Sequence, residues 1–260
     1  MRTNWVKQLI KSGQPTVGSM LNSGSPLIAE IMAHAGFDWL IVDLEHSENS
    51  LANLQGMLQA ISTTSTVPLV RLPTQEVVFI KRALDLGAYG LIVPQVESAL
   101  EAAAVVKAAR YPPHGSRSWG TPRGLLYGGP DYFTRSADEI MVVAMLETRA
   151  GVENARQIMG INGIDACFIG PNDLSISLGH PPEAAELNPE VEEAAQAIKH
   201  SALVEGKAAG IQTYTSIAAN QRLQQGFTFV GLSTDIRYLS TAARTAAAEF
   251  QFLGRSRSET

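Results

Sequence analysis

Apolar runs that stop at a charged residue recur along this chain. Val142-Val143-Ala144-Met145-Leu146 ends at Glu147, and Ala166-Cys167-Phe168-Ile169 runs through Gly170-Pro171-Asn172 to Asp173. Trp39-Leu40-Ile41-Val42 leads into Asp43-Leu44-Glu45-His46, and Val67-Pro68-Leu69-Val70 leads into Arg71. Apolar runs of this length without alternation read as strands buried on both faces, as in a parallel sheet. A charge placed where such a strand stops is costly unless it is paired or binds something. The pattern predicts strands near 16–20, 38–43, 67–71, 90–94, 141–147, 165–170, 208–212 and 228–232. Helical periodicities lie between them, over 26–35, 77–86, 99–109 and 189–205 among others. Alternation of this kind predicts an α/β fold with a parallel sheet. Polar residues delivered at strand C-terminal ends narrow it to a (β/α)8 TIM barrel, whose active face lies there.

A chain of 260 residues suits one such barrel, which typically takes about 250. No linker rich in Gly, Ser or Pro divides it, so a single domain is expected over 1–252, followed by a polar tail over 253–260. The stretch 111–140 reads as a long loop without secondary structure. Because it follows a helix, it starts at the face opposite the active one, and a chemical role would require it to reach a neighbouring subunit. Residues 1–11 read as a short amphipathic helix and not as a signal peptide.

Composition removes several function classes. The net charge of −5 leaves no basic footprint for nucleic acid, and no apolar stretch approaches the roughly 20 residues of a membrane span. The single cysteine, Cys167, excludes an internal disulfide and fits a reducing compartment, so the cytoplasm is the expected location. The partners left to expect are small molecules.

Glu147 and Asp173 end adjacent predicted strands, so their carboxylates could converge on one divalent metal ion. Two carboxylates, with water and substrate oxygens in the other positions, suit Mg²⁺ or Mn²⁺. Asp173 alone could equally cap the helix that starts near it. His46, on the same rim, is a candidate general base, since imidazole titrates near neutral pH. Arg71 could hold a carboxylate or an oxyanion in a bidentate fork, or brace the rim by a salt bridge. None of the lysines ends a predicted strand, which argues against Schiff-base chemistry. The loops after strands seven and eight lack glycine-rich phosphate turns, and no dinucleotide fingerprint follows the first strand.

These residues, in this order, resemble the metal-dependent (class II) pyruvate aldolases of the HpcH/HpaI family, whose members include 4-hydroxy-2-oxoheptanedioate and 2-dehydro-3-deoxyglucarate aldolases. The likeness runs through Gly36-Phe37-Asp38-Trp39-Leu40, Glu45-His46, Val70-Arg71 and Asp85-Leu86-Gly87-Ala88. It continues through Tyr111-Pro112-Pro113-x-Gly115-x-Arg117, Glu147-Thr148 and Gly170-Pro171-x-Asp173-Leu174. The resemblance implies a reversible cleavage of a 4-hydroxy-2-oxo acid to pyruvate, or a close analogue, and an aldehyde. His46 would be the base, Arg71 the transition-state stabiliser, and Glu147 and Asp173 the metal ligands. Asp85 would raise the basicity of the histidine. Substrate would meet Arg71, Pro171, Asn172 (through its backbone), Asp173 and the position held by Met145. It further implies a homohexamer, a trimer of dimers, with the last helix exchanged between subunits. Asp85 precedes the fourth strand, so within one barrel it belongs at the wrong end for His46, and a neighbouring subunit is the expected donor. The chain departs from the family pattern at Met145, where glutamine is usual, at Met20, where tryptophan is common, and around Glu45-His46. A citramalyl- or malyl-CoA-type lyase and a barrel that binds an oxo acid without cleaving it are the alternatives.

Overall fold

A computed structural model describes residues 1–182 and 187–249. The chain opens with α1 (Trp5–Lys11), β1 (Thr16–Leu21), α2 (Pro26–Ala33), β2 (Trp39–Asp43), α3 (Leu51–Ile61) and β3 (Val67–Arg71). It continues with α4 (Val77–Asp85), β4 (Gly90–Val93), α5 (Ala99–Ala109), α6 (Tyr132–Glu139), β5 (Met141–Met145), α7 (Arg149–Glu153) and α8 (Ala155–Met159). It closes with β6 (Ala166–Ile169), α9 (Pro171–Ser177), α10 (Pro189–Val204), β7 (Ala208–Thr213), α11 (Ser216–Gln224), β8 (Phe229–Thr234) and α12 (Asp235–Glu249). The strands pair in chain order, all parallel, and β8 closes on β1. The fold is therefore a (β/α)8 TIM barrel.

Alternation along each buried strand builds two apolar layers. Leu40 and Val42 of β2 face the helices, while Trp39 and Ile41 face the barrel axis. Inside, Trp39 packs against Phe229 and Phe168, with centroids 4.2 Å and 6.3 Å away. Gly18 makes room for this plug, because a Cβ there would fall 2.0 Å from the Trp39 ring. Helix α1 covers the N-terminal mouth with Val6 and Ile10, pinned by Asn4, whose side chain donates to the carbonyls of Tyr89 and Glu139. Cys167 is fully buried in β6, where burial pushes its thiol up to about 12, so it is an inert core residue.

The strands lie within a residue or two of the sequence expectation, but several stop earlier. β5 ends at Met145, so Glu147 sits on the loop beyond it and not on its last residue. The expected loop over 111–140 is corrected: it holds a π-helical turn at Gly124–Gly128 and then α6. An aromatic cluster organises its first part, with Tyr111 5.6 Å from Trp119 and 5.1 Å from Phe133. The tail expected over 253–260 lies outside the described residues. Among the described residues, no helix is long and apolar enough to cross a membrane.

Candidate active site

The register of β2 and β3 sets Asp43 directly beside Arg71. Asp43 is fully buried and receives the guanidinium in a fork, Nε at 2.8 Å and Nη2 at 2.7 Å. Its carboxylate also accepts the backbone N–H groups of Glu45 and His46 and the side-chain amide of Asn22. Burial alone would raise Asp43, but the hydrogen bonds and charge of Arg71, with those two N–H groups, outweigh it and hold the carboxyl below its ordinary range. One aspartate thus orients the arginine and shapes the loop that presents Glu45 and His46. Nη1 of Arg71 stays off this fork and lies 3.3 Å from Glu45 Oε2. The sequence pattern displayed Asp43 at a strand end without revealing this role. The aligned β2–β3 register is the signal that would have found it.

Glu147 is 3% exposed at the far side of the same rim. Its Oε1 accepts the N–H of Gln95 at 3.1 Å, which Gln95 can offer because its φ is 51°, in the left-handed region. Its Oε2 is buried without a hydrogen-bond partner among the described residues, and so is Glu45 Oε2. Burial first, then the charge of Asp173, pushes the Glu147 carboxyl up to about 8. Burial also raises Glu45, against the pull of Arg71 and His46. Gly170 leaves the space above Glu147 open, since a Cβ there would fall 2.5 Å from Oε2 and 2.6 Å from Met145 Cε. The helix cap of α9 is Gly170, so Asp173 is not the cap but a first-turn residue.

Together these features fit a divalent cation. The buried Glu147 Oε2 with no donor, the neighbouring negative charge of Asp173 and a cleared space are costly without a cation and favourable with one. Among the described residues no three His, Cys, Asp or Glu side chains form an all-protein cage. A pair of carboxylates still suits an Mg²⁺-type ion, which keeps several waters and takes few protein ligands.

His46 stands on the rim with its side chain 59% exposed and Nε2 3.8 Å from Glu45 Oε2. Pro171 opens α9, and Asn172 donates from Nδ2 to the Tyr214 hydroxyl at 2.9 Å, a contact the sequence did not suggest. Met145 and Met20 are 2% and 6% exposed and belong to the inner apolar layer. Asp85 ends α4, which runs back to the N-terminal face, and is paired there with Arg117 at 2.8 Å. Within one chain the fold does not bring Asp85 to His46. All the lysines lie on helices or, for Lys207, ahead of β7, so none reaches the C-terminal rim from a strand.

The profile of the HpcH/HpaI aldolase/citrate lyase family matches residues 17–242. The chain is 39% identical over 262 residues to a hydroxypyruvate/pyruvate aldolase of Deinococcus radiodurans, covering 99% of this chain and 93% of that protein. It is 37% identical over 250 residues to a 5-keto-4-deoxy-D-glucarate aldolase of Klebsiella pneumoniae, covering 95% and 97%. A crystal structure of an HpcH/HpaI aldolase/citrate lyase family protein from Burkholderia cenocepacia superposes with a TM-score of 0.90 at 34% identity, covering 95% of this chain and 99% of that one.

Proposed function

Because the chain belongs to the HpcH/HpaI aldolase/citrate lyase family, we propose that the rim around Glu147, Arg71 and His46 catalyses retro-aldol cleavage of a 4-hydroxy-2-oxo acid to pyruvate, or a close analogue, and an aldehyde. The observation that carries the reading is the buried, donorless Oε2 of Glu147 beside Asp173. These two carboxylates hold a divalent ion, Mg²⁺ or Mn²⁺. When bound, the ion supplies Lewis-acid polarisation of the 2-oxo group and balances the carboxylate charge. His46 takes the 4-hydroxyl proton, directly or through one water. The C3–C4 bond breaks, the 4-carbon leaves as aldehyde, and its bonding electrons remain on the three-carbon fragment as an enolate. Nη1 of Arg71, outside the Asp43 fork, stabilises that charge. The proton taken from the 4-hydroxyl is returned from His46, directly or through the same water, to C3 and gives pyruvate. The first turn of α9 (Pro171, Asn172, Asp173) receives the substrate carboxylate end, and Met145 forms an apolar floor.

The aldolase names of relatives that match nearly the whole chain support an enzyme and leave the non-catalytic alternative without support. A substrate panel tests the reaction. With Mg²⁺ or Mn²⁺, 4-hydroxy-2-oxo acids should release pyruvate measurable by a coupled dehydrogenase. Cleavage confined to citramalyl- or malyl-CoA would instead favour the CoA-type lyase.

We further propose a homohexamer, a trimer of dimers, in the cytoplasm. α12 supports it, because only Asp235 of that helix is buried in the single chain while Ile236 and Leu239 are 45% and 59% exposed. This is the helix exchanged between subunits. A neighbour's Asp85 then completes each site as a positioning residue for His46. Mixing an Asp85→Ala chain with a Glu147→Ala chain should restore turnover that neither has alone. Full activity in a monomer, or no recovery in verified mixed oligomers, would refute shared sites.

A further inference from the structure

Chemical groups are spread unevenly round the catalytic rim. In barrel order His46 follows β2, Arg71 ends β3, Glu147 follows β5 and Asp173 follows β6. A substrate chelated between β5 and β6 and deprotonated near β2 crosses the mouth. Arg71, with its Asp43 fork and Glu45, fills one side of that path. The side formed by β7, β8 and β1 is left for the chain beyond C4. The loops and first helical turns after those three strands carry a single Lys or Arg, Arg237 in the first turn of α12.

Arg237 is exposed and lies over the Tyr214 ring, 4.6 Å from its centroid. Among the described residues no carboxylate is within ion-pair distance of it. Its neighbour Asp235 is 3% exposed and accepts the backbone N–H groups of Asn22, Ser23 and Ile236. The Tyr238 hydroxyl donates to the Leu232 carbonyl at 2.7 Å. These bonds anchor the first turn to its own barrel wherever the rest of α12 docks. A guanidinium stacked on an aromatic face keeps its edge N–H groups available for a planar oxyanion.

Tyr214 ties this cation to the catalytic groups. The half-buried side chain accepts the Asn172 amide at 2.9 Å, next to Asp173, and its hydroxyl keeps its own proton to donate. Burial raises the phenol against the pull of Arg237, and the charges of Asp173 and Arg71 also reach it. It therefore stays an O–H donor within the field of the chelating and stabilising residues. One ring thus carries a donor at its tip and a cation on its face, and a single carboxylate can accept from both.

We propose that Arg237 and Tyr214 form a carboxylate receptor at the far end of the catalytic site, selecting 4-hydroxy-2-oxo acids whose aldehyde portion carries a second carboxylate. This rests on the retro-aldol reading of the rim and adds the charge of the substrate's tail. Both residues touch the tail and not the reacting atoms, so they set specificity.

Non-cleavable 2-oxo acids separate binding from turnover. 2-Oxohexanedioate and 2-oxoheptanedioate lack the 4-hydroxyl and end in a carboxylate. 2-Oxohexanoate and 2-oxoheptanoate share their length and chelating end without the second charge. Calorimetric titration in the presence of Mg²⁺ should give a diacid-to-monoacid affinity ratio of about tenfold or more for at least one length, the worth of a charged hydrogen-bond contact. Arg237→Gln should bring that ratio close to one. Tyr214→Phe, which keeps the ring under the guanidinium, should lower it about threefold or more. A ratio near one in the parent protein, or one that survives Arg237→Gln, would overturn the proposal and leave the retro-aldol reading intact. Equal weakening of diacid and monoacid by Arg237→Gln would also overturn it, since that places the arginine at the chelated end. Binding of neither series would defeat the retro-aldol reading and this proposal together.

Discussion

Glu147→Gln lowers retro-aldol turnover by about 10³-fold or more while leaving the metal-free fold at least as stable as before. At neutral pH the variant is more stable, because the unfolded amide has no proton to release. The two halves of this expectation have one cause. In the metal-free protein burial and the Asp173 charge hold Glu147 largely protonated at neutral pH, with its carboxyl pushed up to about 8. An amide has the same shape and the same zero charge, and its oxygen can still accept the Gln95 N–H. Little is therefore lost on folding. What the amide cannot do is ionise, so it contributes no charge to a cation. Turnover by the panel assay and thermal unfolding of the same preparation check both halves. A large fall in melting temperature would mark Glu147 as a structural residue.

Asp43→Ala has the opposite profile and is the most destabilising change expected at the rim, by about 3–5 kcal/mol, with activity lost as a consequence. The substitution leaves the Arg71 guanidinium buried at 7% exposure without its fork partner. It also strips acceptors from the Glu45 and His46 N–H groups and from Asn22, each of which pays for a lost partner in a poorly hydrated place. Asp43 is held below its ordinary 3.8, so its contribution is fully present above that value. It is lost as pH falls through the lower folded value, because protonation then favours the unfolded chain. Denaturant unfolding at neutral pH should show the loss in the midpoint. A stability change within about 0.5 kcal/mol, the range of ordinary surface substitutions, would mean that Arg71 finds another partner.

Apolar patterning was enough to recover the barrel, since each strand is a short continuous run and each run stops near a charge. Glu147 and Asp173 stand out in the sequence as carboxylates just beyond buried apolar runs, and the structure places the first on the loop after β5 and the second in the first turn of α9. Asp43 stood equally in view, yet its role depends on register with Arg71, which is a relation between two strands and is invisible in either one. The Asn172–Tyr214 contact joins the first turn of α9 to the loop after β7 and is hidden for that reason. The 111–140 stretch misled because its order comes from tertiary contacts. Aromatic packing of Tyr111, Trp119 and Phe133 and the clasp between Asn4 and Glu139 replace local periodicity there. Asp85 was read at the N-terminal face and lies there, beside Arg117.

Proton release on metal binding tests most directly whether Glu147 and Asp173 seat a divalent ion. The raised Glu147 value means the metal-free fold keeps a proton that the unfolded chain gives up near 4.5. Its stability therefore declines as pH rises from that value to about 8, and metal binding must expel the proton across the same window. Calorimetric titration with Mn²⁺ near pH 6.5, in buffers of different ionisation enthalpy, should report close to one proton released per ion, since the carboxyl titrates at about 8. Affinity should tighten about tenfold per pH unit and level off above that value. Glu147→Gln should bind no ion at these concentrations. Mn²⁺ bound without proton release, or bound as tightly by Glu147→Gln, would contradict the account.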